Sequence, residues 1–219
     1  MDLIHSLLDF ILHIDKHLTQ LISQYGTLTY FILFAIIFCE TGFVVTPFLP
    51  GDSMLFAAGA IAALDNSGLN IMLLAVLLII AAFTGNMLNY FIGKSIGPKV
   101  YEKDLRLIRR SYLDRTKNFF AKYGSMTIIY TRFAPILRTF APFIAGVGQM
   151  KINTFIIYNF IGGFLWVVCF LAAGYFFGNI TFVKDHFETV VIGIILISFI
   201  PAGYAFFKTR FGNKEMTKK

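Results

Sequence analysis

The chain has 219 residues, of which 57% are hydrophobic and only 14% charged, and its mean hydropathy is +0.72. A soluble domain of this length has no interior large enough to hide so much apolar surface, so the composition excludes that class and indicates an integral membrane protein. The net charge of +7 is concentrated, with nine of the 19 Lys and Arg residues between Lys94 and Lys122 and five more between Lys208 and Lys219.

The first element, residues 1–26, reads as an interfacial amphipathic helix. Leu3, Leu7, Ile11, Ile14, Leu18 and Leu21 form one stripe, and Asp2, Asp9, His13, Lys16 and Gln20 the other face. Asp2 and Asp9 stand where a signal peptide would be basic, so it is not a cleavable leader. Three acids against one lysine favour the outer side. Residues 27–64 are apolar but interrupted by Glu40, Pro47, Pro50, Gly51 and Asp52. They read as a re-entrant hairpin. Residues 70–93 can span a bilayer, which takes about 20 residues. The basic loop 94–123 contains "SYLDRTKNFFAKY", a second in-plane helix with Ser111 and Asp114 at its cap. Residues 124–150 hold Arg132, Pro135, Arg138, Pro142 and Gly146 and read as another broken hairpin. Spans at 153–178 and 189–207 follow, and 208–219 is a basic tail. Cys39 and Cys169 lie in apolar runs and read as buried thiols, with no disulfide or metal site.

Lysine and arginine are retained on the cytoplasmic side of short loops, so the basic loop and the tail belong inside. Anionic lipid headgroups, not nucleic acid, are the partner expected for charge that flanks membrane segments. Counting crossings back from the tail, residues 124–150 begin and end inside, and 27–64 begin and end outside. Each half then has a Pro-rich hairpin and a full span, closing in "NYFIGKSIG" (89–97) and "GYFFGNI" (174–180), where Tyr90 and Gly93 match Tyr175 and Gly178. The fold class is an all-α integral membrane protein of inverted repeats, an architecture of secondary transporters.

"FCETGFVVTPFLPGDSMLFAAGA" and "RFAPILRTFAPFIAGVG" resemble the bacterial DedA family of inner-membrane proteins, with its VTT (SNARE-associated) type membrane domain. The resemblance covers nearly the whole chain. It implies a multi-pass lipid transporter of the bacterial inner membrane with two opposed re-entrant hairpins. It further implies undecaprenyl phosphate as cargo, returned to the cytoplasmic leaflet, and dependence on the proton motive force. The family's essential acids match Glu40 and Asp52, and its essential arginines match Arg132 and Arg138. Many members carry an acid where this chain has Asn86, which puts a proton-carrying role there in doubt.

Ionisable residues inside a membrane are costly and mark function. A guanidinium keeps its charge and offers a planar fork of donors, so Arg132 and Arg138 are assigned to the substrate phosphate. The plainer alternative is that they pair with Glu40 and Asp52 only to hold the hairpins together. A carboxyl alternating between desolvation and an arginine neighbour can bind and release a proton, so Glu40 and Asp52 are assigned to proton coupling. Asp52 also suits a helix cap in "PGDSM". Pro47, Pro50, Gly51, Pro135, Pro142 and Gly146 shape the hairpins.

Other signals carry less. "GKS" at 93–95 lacks the first glycine of a phosphate-binding loop, because Leu88 stands there. The Gly93/Gly97 and Gly174/Gly178 spacings read as close helix packing rather than a dimer seam, and an oligomer stays compatible with them. Trp166 reads as packing. No histidine lies between His17 and His186 to serve a phosphatase, and no cofactor is implied. An ion or drug antiporter would use the acids but leave the arginines without an anion; a general phospholipid scramblase is a further alternative.

Overall fold

The computed structural model describes residues 14–43, 51–64, 67–102, 124–186, 189–190 and 192–194. Pro47, Pro50, the in-plane helix at 111–123, the tail and most of the span at 189–207 lie outside them. Every described element is helical: α1 (Ile14–Tyr25), α2 (Leu28–Gly42), α3 (Gly51–Ala62), α4 (Ile71–Glu102), α5 (Thr127–Tyr130), a 3-10 turn (Thr131–Phe133), α6 (Pro135–Val147), α7 (Ile152–Phe177) and α8 (Thr181–Asp185).

Length separates two kinds of helix. The 26 residues of α7 and the 32 of α4 rise about 39 and 48 Å at 1.5 Å per residue, enough for a hydrocarbon layer of about 30 Å. Asn70 starts α4 by accepting the Met72 and Leu73 N–H groups at 2.9 and 3.1 Å. The helix then runs past residue 93, the expected end of the span, to Glu102. By contrast α2, α3 and α6 have 15, 12 and 13 residues, so none is long enough to cross alone.

The outward faces of the long helices are apolar, with Met72, Val76, Ile80, Ile157, Phe160 and Phe164 exposed. Polar groups are inside, among them Glu40, Asn86, Asn89, Arg132, Arg138 and Asn159. Contiguous apolar surface around a polar interior suits lipid and would aggregate in water. From Gly51 to Ile61 every residue of α3 is buried, as expected of a helix apolar on all sides. Part of that cover comes from α1, which packs on α3 and α2 with Leu18 buried in the core.

The arms of the two halves are crossed. While α2 packs on α4 and α5 on α7, α3 packs on α7 and α6 on α4. A Cβ at Gly59 would strike the Leu171 carbonyl, and one at Gly174 the Phe56 carbonyl. In the other pair a Cβ at Gly146 would strike the Tyr90 carbonyl, and one at Gly93 the Phe143 carbonyl. The words "FAAG" (56–59) and "FIAG" (143–146) thus make equivalent contacts. Gly93 corresponds to Gly174 and not, as the matching words indicate, to Gly178, which lies one turn further and packs against Ala60.

Candidate functional site

Helix breaks bring four charged side chains into the interior. Glu40 ends α2 and Asp52 begins α3, on either side of the first break. Arg132 lies in the 3-10 turn and Arg138 in the first turn of α6. The second break is at Ala134, which is extended and is followed by Pro135 at the start of α6. There the missing proline N–H costs nothing, because the first turn of a helix has no acceptor for it. Within α6, the buried Pro142 cannot donate to the Arg138 carbonyl one turn back. Exposure of the four is 6% or less.

Arg138 joins α6 to the end of α2 and the start of α3. Its Nη2 pairs with Glu40 Oε1 and its Nη1 with Asp52 Oδ1 at 2.5 Å. Glu40 Oε1 also accepts the Gly51 N–H at 3.2 Å, and a side chain at Gly51 would collide with the Glu40 carboxylate. The glycine is therefore required by the acid. Glu40 Oε2 has no partner among the described residues. Trp166 is more than packing. Its Nε1 donates to Asp52 Oδ1 at 2.7 Å, and the Arg138 guanidinium lies over its ring, 4.7 Å from the centroid. A desolvated cation–π contact is worth about 2 kcal/mol or more.

Arg132 is held differently. Its Nη2 donates to Asn159 Oδ1 at 2.6 Å and to the carbonyls of Ala82 and Asn159 at 3.3 and 3.4 Å. The Asn86 amide orientation that satisfies its neighbours turns Oδ1 to Arg132 Nη2 at 2.7 Å and Nδ2 to the Thr41 carbonyl at 3.2 Å. Gly162 and Gly163 lie against the side chain, leaving room for its guanidinium. No carboxylate pairs with Arg132 among the described residues. Its Nε and Nη1 have no partner there either. The two arginines, grouped in the sequence, are thus divided in the structure: one is neutralised by two acids and the other is held by neutral amides.

Asn89 fastens this centre to α4, donating from Nδ2 to the Thr41 and Thr139 carbonyls at 3.2 and 2.8 Å. It reaches the end of α2, where helix carbonyls lack intrahelical donors, and also α6. Sequence reasoning missed Asn89, Asn159, the Gly162–Gly163 pair and the contacts of Trp166. The available signal was asparagine within otherwise apolar spans.

A VTT domain matches residues 49–176, a stretch that includes Asp52, Arg132, Arg138 and Trp166. The protein DedA of Escherichia coli K12 is 54% identical over 202 residues, covering 92% of each chain. The chain belongs to the DedA family. The inner membrane protein YghB of Escherichia coli K12 is 31% identical over 198 residues, 89% of this chain and 86% of its own. An uncharacterized membrane protein of Mycobacterium tuberculosis H37Rv is 40% identical over 168 residues, 76% of this chain and 74% of its own. No solved structure matches. This DedA-family chain is accordingly a membrane protein, and its apolar helices are of the kind such a protein needs.

Proposed function

We propose that this DedA-family protein is not an enzyme but a flippase of the bacterial inner membrane that returns a polyprenyl lipid phosphate, undecaprenyl phosphate, to the cytoplasmic leaflet using the proton motive force. The observation that carries the reading is Arg132: a fully buried guanidinium with unpartnered nitrogens and no carboxylate among the described residues. A cation so placed is costly unless an anion joins it. An ion or drug antiporter needs the acids but gives Arg132 nothing to bind.

The pairs α2–α3 and α5–α6 are the two re-entrant hairpins, entering from opposite sides and meeting at the charges. The cluster contains two cations and two carboxylates, Arg132, Arg138, Glu40 and Asp52, and is neutral when empty. A phosphate monoanion drawn to Arg132 and Arg138 makes it net negative, in surroundings where unbalanced charge is expensive. One proton on Glu40 restores neutrality and releases its hold on Arg138. Cargo and proton therefore enter together. The basic loop and tail face the cytoplasm and its anionic lipids.

Purified protein in proteoliposomes loaded with undecaprenyl phosphate tests this, with and without a pH gradient. Gradient-stimulated movement between leaflets is expected, lost in Arg132→Lys and no longer gradient-dependent in Glu40→Gln. Movement equal to wild type in both variants refutes the mechanism; equal movement of zwitterionic phospholipid favours a scramblase instead.

A further inference from the structure

Trp166 is the only tryptophan in the chain and is fully buried, at 0% exposure. It uses both polar capacities of an indole on the charge cluster: the N–H donates to Asp52 Oδ1, and the ring face carries Arg138. Its contact with Phe170 on the same helix is an ordinary edge-on ring pair with centroids 6.4 Å apart. Aromatic packing alone would be met by phenylalanine, which has no donor for the acid.

The two carboxylates consequently differ in what they retain when Arg138 leaves them. Each acid keeps one N–H donor on the oxygen that Arg138 also meets, but the indole N–H lies 2.7 Å from Asp52 and the Gly51 N–H 3.2 Å from Glu40, whose Oε2 has no partner among the described residues. Hydrogen bonds to a charged form stabilise that form. We propose that Trp166 is a positioning residue that holds the Asp52 carboxylate in place while Arg138 turns to the phosphate, leaving Glu40 as the acid that takes the proton. This rests on the lipid-phosphate reading above, which puts the proton on Glu40, and adds to it a role for Trp166 and Asp52.

The experiment is a double-mutant cycle between Trp166→Phe and Asp52→Asn, read by calorimetric titration of full-length protein with dodecyl phosphate in neutral detergent. Thermal unfolding of each variant runs in parallel to confirm that it is folded. Trp166→Phe keeps a ring but loses the donor, and a hydrogen bond to a charged group is worth about a tenfold change or more in affinity. A loss of about that size is expected with Asp52 intact, and little further loss in Asp52→Asn, where no charge is left to hold. Equal losses in both backgrounds assign Trp166 to packing and overturn the proposal. Wild-type protein that binds no dodecyl phosphate overturns the lipid-phosphate reading and this inference with it. A spectroscopic readout is independent of ligand: Asp52→Asn and Arg138→Lys should each shift the emission of Trp166. An unchanged spectrum in both variants removes the contact on which the proposal stands.

Discussion

Arg138 has two acids on one guanidinium, so losing it leaves two carboxylates in the interior without their shared cation. Breaking a buried pair from one side costs about 3–5 kcal/mol, whereas removing all its charges can be neutral. Arg138→Met should therefore abolish folded yield in detergent, measured by size-exclusion profile and thermal unfolding. The triple variant Arg138→Met, Glu40→Gln, Asp52→Asn should recover much of it while binding no lipid phosphate. Gly51 is a second case. Gly51→Ala presses a methyl group into the Glu40 carboxylate, an overpacking of about 1–3 kcal/mol. Shortening the acid in Gly51→Ala with Glu40→Asp should restore part of the melting temperature, and additive losses would contradict the contact. The four charged residues were legible in the sequence because a charge in an apolar run is costly and needs a partner, structural or functional. Trp166 and Asn159 were not: tryptophan suits an apolar helix without further cause, and which arginine an asparagine meets is decided by folding. Nor could the sequence divide the arginines, six residues apart, between acids and amides, because the break at Ala134 sets where each points.

The helices show a similar division between what pattern reveals and what packing decides. Apolar run length located α4 and α7, and Pro135 marks the break after the 3-10 turn. The register of the repeat came out one turn late, because matching Tyr-x-x-Gly words compares letters and not the helix faces that touch. The contacts give a direct check. Gly93→Val and Gly174→Val should lose thermal stability to similar extents, since each side chain strikes a carbonyl of the arm packed against it. Ser95→Val, at an exposed position of α4, should change little. Topology belongs at this scale as well. Single cysteines replacing Lys122 and Lys151 should both react with a membrane-impermeant reagent only from the cytoplasmic side. Opposite sidedness would mean that residues between them cross the membrane, and the re-entrant hairpin would be abandoned.

Among the described residues, apolar side chains of the long helices face outward and the polar network lies inside, so the membrane supplies no hydrophobic drive for helix association and close packing must supply more of it. The glycine contacts of α3 with α7 and of α6 with α4 are that packing, and both run between halves. Cutting the covalent connection in the basic loop would therefore leave every one of those contacts available, and would add only the entropy of bringing two pieces together. Fragments 1–110 and 111–219, made in the same cell, should copurify through a tag on either one and regain lipid-phosphate binding. Each made alone has an arm without its seat and a seat without its arm, and should be degraded. Two separate half-proteins would meet through the same surfaces, so the single chain has the construction of a heterodimer whose subunits happen to be joined.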